Sequence, residues 1–211
     1  MCGIAGILKF DGVAPDPAWL PRMTDAIAHR GPDGSGHWQE GPVALGHRRL
    51  AIIDLSAEAS QPMCSTDGSL FIAYNGEIYN AFDFVPELEA AGFRFHSRSD
   101  TEVILYLYER YGLEGMLKRL NGMFVIVIVD LRKREVHIVR DHMGVKPLYW
   151  TRAGGALLFA SESKAFLAHP FSLMRHFCGD ITHIQAFMDR PSYRRHANDL
   201  MVSIASVHVR F

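Results

Sequence analysis

MFVIVIVDLRKREVHIVR, residues 123–140, holds two strand-like runs rich in Val and Ile, at 123–130 and 135–140, with a short polar stretch between them. Short runs rich in Val and Ile predict buried β-strands. Two strands separated by so few residues pair antiparallel, because a parallel pair needs a much longer crossover. The segment therefore predicts part of an antiparallel sheet.

Further strands and helices are predicted on both sides of this segment. The apolar pattern predicts strands at 3–10, near 43–54, at 69–75 and at 157–160. Helices are predicted at about 17–29, at 83–91 and at 101–111, the last with Ser99 or Asp100 as its N-cap. Because antiparallel strands follow one another and the helices are grouped before and after them, the predicted fold class is α+β.

Composition limits the classes of protein and partner. The 211 residues are 48% hydrophobic and 21% charged, as expected for one globular domain with a possible appendage. The apolar run from Met123 to Val129 is much shorter than the roughly 18 residues that cross a bilayer, so no membrane association is expected. With 22 basic and 23 acidic residues, no nucleic-acid partner is expected either. The N-terminus lacks the features of a secretory signal, which predicts a cytoplasmic location.

Cysteine and histidine usage gives no sign of a disulfide framework or a metal site. Cys2, Cys64 and Cys178 are widely spaced, and the 11 histidines include no HExxH pair.

After Pro170 the composition changes, because the last segment lacks both Lys and Glu. The predicted organisation is therefore a domain at 1–170 followed by an uninterpreted tail at 171–211.

Cys2 is the first candidate for a catalytic residue. Removal of Met1 would leave Cys2 as the N-terminal residue, with a thiol nucleophile and an α-amino group together. The amine has a reference pKa of about 7.7 to 8.0, so near neutral pH it can accept the thiol proton. A chain can also begin Met-Cys by accident, and this pair of residues alone does not decide between the two interpretations.

Asn75 and Gly76 directly follow the predicted strand LFIAY, residues 70–74. The Asn side chain offers an amide donor, and Gly allows a close approach to a backbone N–H, so the two can form an oxyanion hole. The same dipeptide is also typical of a simple hairpin turn. Both interpretations remain open from these residues alone.

Arg49, Glu77 and Asp100 supply the charges that an α-amino acid substrate requires. A guanidinium binds a carboxylate through two hydrogen bonds, while carboxylates bind an ammonium group. Taken singly, Arg49 is also compatible with a solvated surface and Asp100 with a helix N-cap. Only the combination points to a substrate site.

These residues lie in a series of motifs that together resemble a known family. From Met1 to about Pro170 the chain resembles the glutaminase domain of class II glutamine amidotransferases, specifically that of the asparagine synthetase family. The matching segments, in chain order, are MCGIAGI, HRGPDGSG, LGHRRLAIIDLS, YNGEIYN, SDTEVIL, NGMF, RDHMGVKPLYW and FASESKAFLAHP. The resemblance implies an N-terminal-nucleophile hydrolase fold, a four-layer αββα sandwich of two antiparallel sheets.

The resemblance also implies an activity and a role for each candidate residue. The implied reaction is hydrolysis of glutamine to glutamate and ammonia through a γ-glutamyl thioester. Cys2 matches the nucleophile, and Asn75 and Gly76 match the oxyanion hole. Arg49 matches the ligand of the glutamine α-carboxylate, while Glu77 and Asp100 match the groups that hold its α-amino end. Arg30 and the Arg140–Asp141 pair are also matched, and structural or interdomain roles are expected for them.

The resemblance covers only the ammonia-supplying half of such an enzyme. The family's synthetase domain uses ATP and magnesium and carries an SGGxDS loop, which this sequence lacks. No cofactor is therefore expected in this chain, and a synthetase domain or subunit in trans is the expected partner besides glutamine. Two alternatives remain: a non-catalytic remnant or regulatory glutamine-binding module, and another N-terminal-nucleophile enzyme that cleaves amides.

Overall fold

The structure, a computed structural model, describes residues 1–167 and 206–210 of the chain. Two five-stranded antiparallel sheets form the centre of this described part. The first sheet has the strand order β2-β3-β1-β9-β8, and the second has the order β10-β7-β6-β5-β4. Helices flank the sheets. The predicted α+β class and the two antiparallel sheets are confirmed.

The first sheet places the N-terminus next to the end of another strand. Its members are β1 (Gly3–Lys9), β2 (Gly34–Glu40), β3 (Val43–Arg49), β8 (Tyr149–Ala153) and β9 (Ala156–Ala160). In the register of β1 with β3, Gly3 pairs with Arg48. Cys2, just before β1, therefore lies beside the last residues of β3.

The second sheet carries the segment from which the sequence analysis began. Its members are β4 (Met63–Cys64), β5 (Leu70–Ile78), β6 (Gly122–Asp130), β7 (Glu135–Arg140) and β10 (Ser206–Arg210). β5 pairs along its whole length with β6, and Asn75 is opposite Val125. β10 adds an outer strand beside β7, with His208 opposite His137.

Alternating side chains on the strands build three apolar layers. Val125 and Val127 of β6 pack between the sheets against residues of the first sheet such as Ile4 and Leu45. Ile126, the residue between those two valines, faces the opposite side and joins the layer under the helices of the second sheet. Because β6 is buried on both faces, its sequence is apolar from Met123 to Val129.

Four α-helices lie on the outer faces of this sandwich in the described ranges: α1 (Trp19–Asp25), α2 (Val85–Ala90), α3 (Asp100–Leu117) and α4 (Lys164–Leu167). Side chains of α1 and α4 pack on the first sheet, and those of α2 and α3 pack on the second. Ser99 is the N-cap of α3, since its hydroxyl accepts a hydrogen bond from the amide of Thr101 at 3.1 Å. None of these helices combines the length and apolar content needed to cross a bilayer.

Some predicted boundaries differ from the structure. The predicted helix at 17–29 is shorter, since α1 is followed by a separate single turn at Ala28–Arg30. The predicted strand near 43–54 ends at Arg49, and residues 50–56 form a loop. The domain boundary after Pro170 and nearly all of the tail at 171–211 lie outside the described residues. Of that tail the structure describes β10 alone.

Candidate active site

A cavity of about 390 Å³ lies where the start of β1, the end of β3, the end of β5 and the start of α3 meet. Cys2 precedes β1, Arg49 ends β3 and Asp100 begins α3, and all three residues line this cavity. The cavity is lined by all six residues that the sequence suggested for the site: Cys2, Arg49, Asn75, Gly76, Glu77 and Asp100. The structure therefore brings together every predicted site residue.

Cys2 is held by hydrogen bonds on both its side chain and its backbone. The amide of Leu50 donates to its Sγ at 3.4 Å. Its carbonyl accepts a hydrogen bond from Arg30 Nε at 2.9 Å, and Arg30 Nη1 donates in turn to Glu162 at 2.9 Å. The position of Cys2 is thus fixed by the amide of Leu50, directly after β3, and by Arg30, which forms an ion pair with Glu162.

Asn75 presents an amide group that the fold leaves unused. The residue is 1% exposed, and its Nδ2 has no hydrogen-bond partner among the described residues. A buried donor without a partner costs roughly 1–3 kcal/mol of stability. Such a cost at a cavity wall is typical of a group that is kept for a ligand.

The orientation of the Gly76 amide follows from the strand register. Gly76 is opposite Phe124, whose amide donates to Asp141 at 3.2 Å and whose carbonyl accepts from the Asp141 amide at 2.8 Å. In an antiparallel pair, facing residues either exchange both hydrogen bonds or point both groups away from each other. Phe124 points away, so the amide of Gly76 also points away from β6.

Neighbouring amides on the same edge of β5 are held by side chains. The amide of Tyr74 donates to Gln61 Oε1 at 2.6 Å, and that of Ile78 donates to Asp100 Oδ2 at 3.3 Å. The amide of Gly76 lies between them on this edge and has no partner in the described part of the chain. Together with Asn75 Nδ2 it offers two unpaired donors to the cavity.

Only glycine fits at position 76. A Cβ there would lie 2.3 Å from the carbonyl oxygen of Met123 and 2.7 Å from Cα of Phe124. Both are backbone atoms of β6, which cannot move without opening the sheet. The hairpin-turn interpretation of Asn75-Gly76 is wrong, because both residues lie inside β5.

Asp100 is buried, and hydrogen bonds stabilise its carboxylate. It is 4% exposed, and its Oδ2 accepts from the hydroxyl of Tyr74 at 2.8 Å. Burial raises the pKa of Asp100, while the hydrogen bonds from Tyr74 and Ile78 oppose that change. Burial and the neighbouring carboxylate raise the pKa of Tyr74 well above its usual value, so its hydroxyl remains a donor.

The two remaining charges lie toward the opening of the cavity. Arg49 donates hydrogen bonds to the carbonyl of Ser56, at 2.8 Å, and to that of Asp54. These bonds orient the guanidinium and fold the loop at 50–56 around it. Glu77 is exposed and lines the same cavity.

No histidine is among the described residues that line the cavity. His47, the histidine of β3, is fully buried, and its Nε2 lies 3.0 Å from the carbonyl of Tyr74. Burial lowers the pKa of His47 to about 4. The ring is therefore neutral and links the two sheets behind the cavity.

A family model described as a glutamine amidotransferase domain matches residues 1–207 of the chain. The chain belongs to the glutamine amidotransferase family. Asparagine synthetase [glutamine-hydrolyzing] 3 of Bacillus subtilis is 41% identical over 172 residues, which cover 81% of this chain and 28% of that protein. Amidase chyE of Penicillium rubens is 36% identical over 189 residues, which cover 84% of this chain and 28% of that protein.

The fold of this amidotransferase chain also matches a solved structure of the family. The glutamine phosphoribosylpyrophosphate amidotransferase from Bacillus subtilis, complexed with ADP and GMP, aligns with a TM-score of 0.68 and 27% identity. The match covers 79% of this chain and 43% of that one. The chain spans little more than a quarter of the length of the two curated relatives named above.

Three residues of the amidotransferase site were not predicted from the sequence. Tyr74 and Gln61 hold the edge of β5, and Gln61 also donates to the hydroxyl of Thr101 at 3.0 Å. Lys146 lines the cavity although it follows β7, far along the chain. Tyr74 belongs to the YNGEIYN motif and Lys146 to RDHMGVKPLYW, so motif membership was the available signal. Gln61 belongs to none of the matching segments.

Metal ligands were not expected in this amidotransferase chain. Over residues 1–167, no group of three or more His, Cys, Asp or Glu side chains is arranged to hold a metal ion.

Proposed function

We propose that the chain hydrolyses the side-chain amide of glutamine to glutamate and ammonia, with Cys2 as the nucleophile. The observation that supports this most directly is the unpaired Asn75 Nδ2, beside a Gly76 amide that points away from β6, in the cavity that also holds the Cys2 thiol. Donors positioned in advance for a developing negative charge are the usual means of stabilising a tetrahedral intermediate.

The first step transfers one proton and forms one bond. In a chain processed to begin at Cys2, the neutral α-amino group takes the thiol proton, directly or through a water. The thiolate then attacks the amide carbon of glutamine, and the carbonyl electrons move onto the oxygen. Asn75 and Gly76 donate hydrogen bonds to this oxyanion. The amine is the base because no histidine lines the cavity in the described residues.

Collapse of the intermediate breaks the carbon–nitrogen bond. The N-terminal ammonium returns its proton to the leaving nitrogen, which departs as ammonia, and a γ-glutamyl thioester remains on Cys2. A water then attacks the thioester and gives a proton to the amine. The same two donors stabilise the second oxyanion, and the thiol leaves with the proton as glutamate is released.

Charged side chains around the cavity suit the α-amino acid end of glutamine. We assign Arg49 to the α-carboxylate, because its guanidinium is already oriented by the carbonyls of Asp54 and Ser56. Asp100 and Glu77 are assigned to the α-ammonium group. One oxygen of Asp100 is engaged by Tyr74 and Ile78, and the carboxylate faces the cavity.

A partner that uses the ammonia is part of the proposal. Large apolar side chains are exposed on two segments that contribute lining residues, the loop at 50–56 and the loop at 141–147. Ile52, Leu55 and Met143 are 72%, 78% and 76% exposed. Exposed apolar groups on segments that border a cavity are typical of an interaction surface. We assign this surface to a synthetase domain or subunit, which would bind ATP and magnesium, and we place the assembly in the cytoplasm.

The proposal is tested by measuring ammonia release from glutamine with the isolated chain. Intact mass first establishes that Met1 is absent, because an attached Met1 locks the amine of Cys2 in a peptide bond. We expect stoichiometric glutamate and ammonia, both lost in Cys2→Ala. Calorimetric binding of glutamine without ammonia release by the processed chain would instead identify a regulatory glutamine-binding module. Cleavage of small amides in preference to glutamine would identify a different amidase.

A further inference from the structure

The RDHMGVKP segment, residues 140–147, forms a tight loop whose hydrogen bonds converge on one lysine. Asp141 is 4% exposed, and its carboxylate accepts from the amides of Phe124, Val145 and Lys146 at 3.2, 2.9 and 3.1 Å. Arg140 Nε donates to the carbonyl of Lys146 at 2.6 Å. The backbone of Lys146 is thus fixed at both its amide and its carbonyl.

The loop is hydrogen-bonded to β6, the strand that pairs with β5 and lies opposite Asn75 and Gly76. Phe124, which Asp141 holds through both its amide and its carbonyl, is opposite Gly76 in the sheet. Gly144, in the left-handed region at φ +64°, allows the chain to turn back between Asp141 and Lys146. The loop therefore places Lys146 at a defined position relative to the cavity.

The side chain of Lys146 is enclosed and poorly neutralised. Lys146 is 6% exposed and lines the cavity together with Cys2. Its ammonium has one hydrogen-bond partner among the described residues, the thioether sulfur of Met1 at 3.3 Å. A thioether is a weak acceptor, and a buried ammonium is normally paired with an anion or several strong acceptors.

Removal of Met1 changes the surroundings of this ammonium. The thioether leaves, and the amide nitrogen that joined Met1 to Cys2 becomes a free amine. The cation then lies in the cavity with the two reacting groups of Cys2, its amine and its thiol. A fixed positive charge disfavours a second positive charge on the amine and favours a negative charge on the sulfur.

We infer that Lys146 is an activating residue of this site: its ammonium, released from Met1, keeps the new amine of Cys2 uncharged and favours the thiolate. The inference rests on the proposed function for its role in turnover, but the effect on Cys2 exists without any substrate. Lys146 is not the base in this scheme, so the proton of the thiol still passes to the amine. Lys146 acts through Cys2 and is a positioning residue in this sense.

The expected effect is a displacement of the Cys2 titration. Replacing Lys146 with a neutral side chain should move the apparent pKa for Cys2 reactivity upward by about one unit, which is about 1.4 kcal/mol. At a pH below both pKa values, the rate of alkylation should then fall about tenfold. Lys146→Met keeps an unbranched side chain of nearly the same length and removes the ammonium group, while Lys146→Arg keeps the charge.

The test follows alkylation of Cys2 by iodoacetamide across about pH 6 to 10, in chains whose N-terminal processing is established by intact mass. Peptide mass spectrometry separates Cys2 from Cys64, which is exposed and serves as the internal control. Lys118→Met removes a charge from an exposed lysine outside the cavity and is the matched control. Glutamine hydrolysis is measured on the same samples.

The inference predicts that the pH profile of Cys2 alkylation moves to higher pH in Lys146→Met, and that Lys146→Arg stays close to the profile of the unsubstituted chain. The alkylation profile of Cys64 should be unchanged in every variant. An unchanged Cys2 profile in a folded Lys146→Met chain would overturn it, and a rise in KM alone would make Lys146 a substrate ligand instead. If Cys2 shifts but no variant hydrolyses glutamine, the inference stands and the proposed function fails. If glutamine is hydrolysed and Cys2 does not shift, the function stands and the inference fails.

Discussion

Replacement of Asn75 by Ala should change activity and stability in different directions. The side chain is buried, its Nδ2 has no hydrogen-bond partner in the described residues, and it lines the cavity with Cys2. We have assigned the amide to the oxyanion, which exists only during the reaction. The folded protein therefore gains little from the amide, while the transition state gains much.

The two magnitudes follow from that assignment. Loss of one oxyanion donor should lower kcat by roughly 10²–10³, equivalent to about 2.7–4 kcal/mol, with a smaller effect on KM. Removing an unpaired buried donor should relieve roughly 1–3 kcal/mol, against about 1 kcal/mol for the packing that the shorter side chain loses. The free energy of unfolding of Asn75→Ala should therefore be unchanged or up to about 2 kcal/mol higher.

Asn80→Ala provides the matched control. Asn80 Nδ2 donates to the carbonyl of Arg119 at 2.9 Å, and its Oδ1 accepts from the amide of Asn121 at 2.9 Å. Asn80 does not line the cavity, so this variant should lose about 1–2 kcal/mol of stability and keep its kcat. Urea unfolding and steady-state ammonia release measure both quantities. The reasoning is refuted if Asn75→Ala loses as much stability as Asn80→Ala while its kcat is unchanged.

Three further outcomes are expected. Cys2→Ala should abolish ammonia release while changing the free energy of unfolding by less than about 1 kcal/mol, and residual turnover would exclude Cys2 as the nucleophile. Gly76→Ala should lower stability by about 1–3 kcal/mol or more, measured in urea, because its Cβ would lie 2.3 Å from the carbonyl oxygen of Met123. Burial lowers the pKa of His47 from 6.5 to about 4, so the unfolded chain binds a proton first as the pH falls. Stability should fall by at most about 1.4 kcal/mol per pH unit between those values, and His47→Gln should show a shallower dependence in pH-resolved denaturation.

The strands that were predicted correctly are those buried on both faces. Residues 123–130 and 135–140 correspond closely to β6 and β7, because burial between the sheets and under the helices places an apolar run on β6 and the apolar residues Val136, Ile138 and Val139 on β7. β2, with the sequence GSGHWQE, was missed. It is an edge strand with about half of its residues exposed, so its sequence has no apolar pattern that would predict a strand. Its pairing with β3 holds it in place.

The membership of the site was predicted more fully than its interactions. Local chemistry and motif resemblance identified six of the residues that line the cavity, since each belongs to a recognisable motif or carries a recognisable functional group. The sequence did not show that the loop after Arg49 turns back to place its carbonyls on the guanidinium. Nor did it show that Gln61 and Asp100 hold the amides on either side of Gly76, because those contacts join segments distant in the chain.

One of the two donors at the cavity is a backbone group, and this affects which mutations the site can tolerate. The amide of Gly76 keeps its direction because β6 fixes one edge of the strand and the side chains of Gln61 and Asp100 fix the other. Because Ile78 donates through its backbone, an exchange of its side chain leaves that amide in place, whereas a substitution at Gln61 removes the acceptor of the Tyr74 amide. A survey of random variants should therefore find inactivating substitutions at Gln61 and Asp100, which are distant from β5 in the sequence, as well as at Asn75 and Gly76 within it.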